Sequence, residues 1–401
     1  MSYSDKTFLL NQIDGAYGFY LPRAKDPSGG FFHQFAEDGT MTDPLRRSLI
    51  MSSRYVFTTS LAHELFGRPG DLDAMRHAVA FLRDHHRNPE TGGYANILSF
   101  KDGKAEVVDS DNVTYGLIFV ILAYAMAVRA GMTEAGAYLE EIVATLESRV
   151  FEAEHGLYAD QNNVDWTKTL PYRGQNANMH ACEAMIYAYE ATRDGWYLDR
   201  AQGIAQRIAF DLPKAVPGGE VWEHYASDWS HDMTYNEDDH SEPQRPFGYL
   251  SGHQTEWTKL LLLLNRFDPK TAYVERAAEL FDKAMEWAWD GEKGGLFYSK
   301  RPDGSIYDAD KHQWTQAESL AAAGLLSVET GEARFGEWHD RIWAYAEANF
   351  FDTKNGGWLR MLSPANEKVG AGRGEPEPDY HNIGACYELL RARKLAGRPN
   401  E

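Results

Sequence analysis

The sequence predicts an all-α fold, an (α/α)6 barrel of twelve helices with short β-hairpins, and three observations lead there. The first is a glycine-aromatic signal that recurs along the chain. It reads Ser-Gly-Gly-Phe ending at Phe31, Thr-Gly-Gly-Tyr at Tyr94, His-Gly-Leu-Tyr from His155, Pro-Gly-Gly-Glu from Pro217, Lys-Gly-Gly-Leu from Lys293 and Asn-Gly-Gly-Trp ending at Trp358. With Gly30, Gly93, Gly156, Gly219, Gly295 and Gly357 as markers, the steps are 63, 63, 63, 76 and 62 residues, the fixed period of a repeat architecture. The second is that the apolar spacing between markers supplies two helices per repeat. The third is that one helix of each pair is rich in Ala, Leu, Ile and Met and its partner carries more Glu, Lys and Arg, as a buried helix and a solvent-bordering one would.

Each element follows from local signals. Glycine supplies the positive φ of a tight turn and the aromatic after it favours an extended backbone, so each marker reads as a turn feeding a short strand. A first helix lies near Lys6 to Phe19. From Leu45 to Phe66, Leu49, Tyr55, Val56, Leu61 and Leu65 fall at helical spacings, and Gly67 and Pro69 end the run. Asp71 is expected to cap the next helix, through Met75, Val79 and Leu82 to His85. The pattern continues over Asn112 to Arg129, Glu134 to Val150, Met179 to Thr192, Tyr197 to Phe210, Ser251 to Asn265, Ala272 to Trp289, Trp314 to Val328, Glu332 to Phe350 and Tyr380 to Leu395. The long fourth step places extra chain between Tyr225 and Gly252, dense in Asp, Glu, His, Trp and Tyr, which reads as a lid over one domain spanning residues 1–401. Gly372 to Pro378 reads as a short loop.

Composition narrows the function. A formal net charge of -20 disfavours nucleic acid and anionic membrane surfaces, leaving a small or neutral partner. The longest apolar run, Leu260 to Leu264, is too short to span a bilayer. Cys182 and Cys386 sit in apolar helical stretches, the amino terminus lacks a basic region followed by a long apolar run, and a reducing, cytoplasmic setting is the expectation. Nothing in the sequence fixes the oligomeric state.

Just inside the buried helices the sequence places Arg54, Tyr115, His180, His253, Glu318 and His381, separated by 61, 65, 73, 65 and 63 residues. Polar groups of this kind on apolar helices are costly unless paired or used, and one from each repeat points to a shared site. A lone buried histidine is ordinarily a satisfied core residue; three in polar contexts (Asn176-Ala-Asn178-Met-His180, Gly252-His253-Gln-Thr-Glu256, Asp379-Tyr-His381-Asn382) are better read as chemistry. A metal shell of the three histidines with Glu256 is the alternative, but no His-Glu-x-x-His is present, so no metal or other cofactor is expected.

At these segments the chain resembles the N-acylglucosamine 2-epimerase superfamily, which includes mannose isomerases, sulfoquinovose isomerases and cellobiose 2-epimerases. The resemblance runs through Ser53-Arg54, Asn176-Ala-Asn178-Met-His180, Gly252-His253-Gln-Thr-Glu256-Trp257, Trp314-Thr-Gln316-Ala-Glu318 and Asp379-Tyr-His381. It is closer to the isomerase branch than to the N-acetyl sugar branch, whose last motif reads more like Phe-His-Val-Pro-Arg. It implies an (α/α)6 barrel and a metal-independent aldose-ketose isomerase, D-mannose to D-fructose first, with Arg54, His180, His253, Glu256, Glu318 and His381 at the chemistry and Tyr115, Asn176, Trp314 and Gln316 lining the sugar. The expected division gives His381 the C2 proton, His253 the ring opening and hydroxyl proton, and Arg54 with His180 the O1 and O2 oxygens. Epimerisation of cellobiose or an N-acylglucosamine is the runner-up. A glycoside hydrolase on the same fold, using two carboxyl groups such as Glu256 and Glu318, would leave three histidines unused.

Overall fold

The computed structural model describes residues 2–36, 38–239, 244–352, 354, 357–369 and 380–394. Among them are twelve α-helices: α1 (Lys6–Ala24), α2 (Leu49–Phe66), α3 (Asp71–Phe81), α4 (Thr114–Arg129), α5 (Ala135–Arg149), α6 (Gln175–Thr192), α7 (Gly195–Ala205), α8 (Ser251–Phe267), α9 (Thr271–Ala288), α10 (Gln313–Thr330), α11 (Ala333–Asn349) and α12 (Tyr380–Ala392). The fold class is the expected all-α (α/α)6 type. Gly372 to Pro378, Asp379 of the last motif and residues 240–243 of the long loop lie outside the described residues.

The backbone divides into two compact units. One comprises Tyr17–Ile204, Glu375–Tyr380 and Gly397–Glu401; the other comprises Met1–Ala16, Ala205–Gly374 and His381–Ala396. In the first, α4 lies against α2 and α6. These three are buried over most of their circumference, whereas α5 buries only Ala135, Leu139, Ile142, Val143 and Leu146, a stripe at three and four spacings. In the second unit, α8 packs on α9 and α10, and α10 on α11. Here too α8, and α10 apart from Trp314, are buried throughout their first four turns, and α9 buries one stripe from Tyr273 to Ala288.

The glycine signals form antiparallel bridges, Lys25 to Phe31, Arg87 to Tyr94, Trp289 to Leu296 and Phe351 to Trp358, and Phe151–Glu152 pairs with Leu157–Tyr158. Gly295 shows why glycine stands there. Its φ is +81°, and a Cβ would meet the Tyr345 ring at 2.4 Å. The Pro217 signal differs: it forms a 3-10 turn over Pro217–Gly219 instead of a bridged hairpin.

Four helix starts depart from the sequence reading, and one of them is α6, which begins at Gln175, four residues before Met179. Arg46–Ser48 and Asn112–Val113 are short strands, pairing with Ile97–Ser99 and Gln161–Asn162, and the helices begin only after them. Ser48 rather than a residue near Leu45 caps α2, its hydroxyl accepting from the Met51 N–H at 3.3 Å. Asp71 is not a cap but the first helical residue after Gly70, and its carboxylate accepts the Arg68 N–H at 3.2 Å.

One device recurs at the buried helices. The fourth residue of α6, α8 and α10 is an amide, and each clasps both backbone groups of a residue just past a glycine turn. Asn178 accepts from Tyr158 N–H (2.8 Å) and donates to its carbonyl (3.0 Å). Gln254 does the same with Val221 (2.9 and 2.8 Å), and Gln316 with Leu296 (3.0 and 3.2 Å). These bonds satisfy buried main-chain groups that no strand neighbour reaches.

The described part of the Tyr225 to Gly252 segment folds back on its own unit. Trp229, Phe247 and Tyr249 are buried, Trp222 Nε1 donates to the Asp232 carbonyl at 3.0 Å, and the Tyr307 hydroxyl donates to the Glu237 carbonyl at 2.8 Å.

Candidate active site

The sixth residue of five buried helices sits at one helical depth: Arg54 on α2, Phe119 on α4, His180 on α6, Glu256 on α8 and Glu318 on α10. This register shows a member that spacing alone missed, Phe119, because an aromatic on an apolar helix carries no polar signal. Tyr115, expected in that place, lies one turn earlier.

In the unit that contains α2, α4 and α6, the Arg54 guanidinium is sandwiched between aromatic faces, its Cζ 4.6 Å from the centroids of both Phe119 and Tyr380. It donates to the Tyr115 hydroxyl at 3.2 Å, and the Tyr115 ring meets His180 edge-on at 5.2 Å. His180 bonds through Nδ1 to Glu183 Oε2 at 3.1 Å, and the same oxygen accepts the Tyr380 hydroxyl at 2.6 Å. Glu183 is three residues beyond His180, one turn along the same face, so i,i+3 spacing was the signal that could have found it. Arg54, His180 and Glu183 are each no more than 3% exposed.

In the unit that contains α8 and α10, His253 and His381 flank one indole. Their ring centroids lie 5.1 Å and 5.6 Å from that of Trp314, inclined at 42° and 38°. Each imidazole also has a carboxylate at Nδ1. His253 reaches Glu223 Oε2 at 2.9 Å, and His381 reaches Glu318 Oε1 at 2.7 Å. An ionised carboxylate only accepts, so in each pair Nδ1 is the donor. Glu223 stands two residues after Val221, which Gln254 clasps, so the adjacent α8 residues His253 and Gln254 both fasten that segment. No local pattern linked Glu223 to a histidine 30 residues away.

Lys259 completes this group. It follows Glu256 by three residues, is 3% exposed, and places its ammonium 3.4 Å from Glu256 Oε1 and 2.7 Å from Glu318 Oε2. Burial pushes the Glu318 carboxyl up, but the Lys259 charge beside it and the hydrogen bond from His381 outweigh burial, and the net shift is downward. Ligand atoms of Glu256, Glu318 and His381 lie within 4.8 Å of one another, near enough for a small cation to bridge, and the cation that stands against both carboxylates is Lys259.

The residues expected to line a sugar separate into two kinds. Tyr115, Asn176 and Trp314 keep part of their surface open. Gln316 does not: it is fully buried, and its amide is spent on the backbone of Leu296, so the structure makes it a brace for the glycine turn. Glu256, expected to polarise a histidine, has Lys259 as its ion-pair partner. Cys182 and Cys386 are buried and burial pushes both thiols up, as for inert core cysteines. No helix among the described residues is long and apolar enough to cross a membrane.

Comparison with known proteins gives a consistent answer. The sequence matches the N-acylglucosamine 2-epimerase family over residues 30–385. A D-mannose isomerase from Marinomonas mediterranea is 40% identical over 395 residues, 98% of this chain and 99% of that one. A D-mannose isomerase from Thermobifida fusca is 32% identical over 354 residues, covering 87% and 85%. A crystal structure of a D-mannose isomerase, 40% identical and matched over 98% of this chain and 99% of its own, superposes with a TM-score of 0.93.

Proposed function

The chain belongs to the N-acylglucosamine 2-epimerase family, and from that premise we propose that it is an aldose-ketose isomerase converting D-mannose to D-fructose. The observation that carries the reading is the pair of imidazoles on either side of Trp314, each with Nδ1 engaged by a carboxylate. Two imidazoles beside an aromatic platform suit a hexose, whose apolar face stacks on indole while its hydroxyls meet the rings.

In this reading His253 opens the pyranose by carrying the O1 proton to the ring oxygen as the C1–O5 bond breaks and C1=O1 forms, which leaves His253 as it began. His381 Nε2 then removes the proton from C2; the C2–H pair becomes the C1–C2 double bond of an enediolate and C1=O becomes C1–O⁻. His253 moves the hydroxyl proton from O2 to O1, and His381 returns its proton to C1. C2 is then a carbonyl and C1 a CH2OH, with no net gain or loss of protons or electrons. Glu223 and Glu318 hold the imidazoles in the required tautomer and stabilise each imidazolium as it forms. The chemistry needs no metal, so prolonged chelation should leave turnover unchanged; a loss restored by zinc overturns that part.

Arg54 and His180 are assigned to the sugar's O1 and O2, a role tested by R54A and H180A, each of which should lower kcat/KM. The deciding experiment incubates the protein with D-mannose and follows fructose, with cellobiose and N-acetylglucosamine in parallel. Fructose from mannose supports the proposal. Glucose from mannose, or conversion of cellobiose alone, overturns it in favour of 2-epimerisation.

A further inference from the structure

Glu256 and Glu318 enter from α8 and α10 with no more than 1% of their surface exposed, and their oxygens fall within the 4.8 Å span shared with His381. Two carboxylates buried that close cannot both stay ionised without a compensating charge. Helix α8 supplies it one turn after Glu256. The Lys259 ammonium contacts Glu256 Oε1 and, more closely, Glu318 Oε2, while Glu318 keeps its other oxygen, Oε1, for His381 Nδ1. Cation, carboxylate and imidazole thus stand in line through separate oxygens.

We propose that Lys259 is a positioning residue of the reaction: its buried ammonium fixes the Glu318 carboxylate and, through it, holds His381 with the proton on Nδ1, the tautomer in which Nε2 acts as the base. The inference rests on the isomerase reading for its kinetic consequence but not for its structural one. With Lys259 present, the three side chains sum to a single negative charge, which accommodates the proton His381 gains in turnover. Without it the sum is two negative charges, and one carboxyl takes up a proton. A protonated Glu318 donates to Nδ1 instead of accepting from it, which moves the imidazole proton to Nε2 and removes the base.

The test is K259M, with K259R and K259M/E256Q as companions, read by ¹⁵N spectra of histidine-labelled protein in which the His381 signal is identified by its loss in H381N. Wild type should show the Nδ1–H form at pH 8 and K259M a large Nε2–H population. On mannose, K259M should lose kcat by about 30- to 100-fold, the share of general-base catalysis that correct tautomer controls. KM should stay within about threefold, since Lys259 contacts other side chains and leaves binding of substrate alone. Its acid limb should move to higher pH, because removing the cation raises the pH at which Glu318 protonates. K259R should keep the wild-type tautomer, and K259M/E256Q, with the single negative charge restored, should regain it. A folded K259M with the wild-type tautomer and kcat overturns the proposal. So does a K259M/E256Q protein locked in the Nε2–H form, which also decides the matter if K259M does not fold. Should wild type make no fructose, the isomerase reading fails while the spectra still judge Lys259.

Discussion

His180 and His381 are built alike up to the third residue and differ there. Each donates from Nδ1 to a buried glutamate, Glu183 or Glu318. Behind Glu183 stands a neutral phenol, Tyr380; behind Glu318 stands the Lys259 ammonium. A phenol adds a hydrogen bond and leaves the charge of its acceptor in place, whereas an ammonium fixes the carboxylate as the anion. The difference teaches that a carboxylate-imidazole pair has no single setting: one carboxylate is backed by a phenol and the other by a cation, and under the proposed mechanism that separates the imidazole that holds a hydroxyl from the one that exchanges protons.

The contrast can be broken most sharply at the rings. H381N should lower kcat by about 10³- to 10⁴-fold with KM nearly unchanged, as expected for removal of a general base. H180N should act chiefly on KM, with kcat down no more than about tenfold. Equal kcat losses in steady-state assays on mannose would erase the distinction. At the carboxylates the same ranking should hold with smaller numbers: E318Q should cost about 100-fold in kcat and E183Q about tenfold, the size of effect that orienting groups have.

His86 shows what an imidazole does with no carboxylate at Nδ1. It donates to the Ala95 carbonyl at 2.8 Å, bonds Ser52 through Nε2 at 3.0 Å, and burial pushes its pKa down to about 4 from 6.5. Folded His86 is therefore neutral where the unfolded residue is charged. Its contribution to stability is complete above pH 6.5 and declines as pH falls toward 4, by about 3 kcal/mol if fully expressed. Urea midpoints at pH 7.5 and 5 should fall accordingly, and H86N should flatten that dependence; an unchanged slope refutes the assignment. The smallest effect belongs to Y380F. Loss of one hydrogen bond to Glu183 amounts to about 1 kcal/mol, so kcat/KM should fall only several-fold. A loss as large as that of E183Q would give the phenol a direct part in the reaction.

Much of this was readable before any coordinates. Glycine adopts positive φ more readily than any other residue, so the turns announced themselves at a fixed period, and histidines on apolar helices stood out against their surroundings. Their partners did not. Glu183 looked like any polar residue on α6, Glu223 is near His253 only after Gln254 has fastened Val221, and Lys259, just ahead of five leucines, carried no signal that tied it to Glu318. Gln316 misled for the opposite reason, since an amide beside a site motif gives no hint that both its ends are committed to main chain. Helix starts were misplaced where short strands intrude, because a two- or three-residue strand has too few positions to show alternation.

The amide clasps have a consequence for the site. Tyr158 and Asn178 are 20 residues apart, Leu296 and Gln316 also 20, yet Val221 and Gln254 are 33 apart, and the bonding is the same. Two of the three intervals carry site residues, Glu223 with His253 in one and Trp314 in the other. Each clasp therefore anchors both ends of a segment whose length is free to vary while the side chains next to its ends stay fixed.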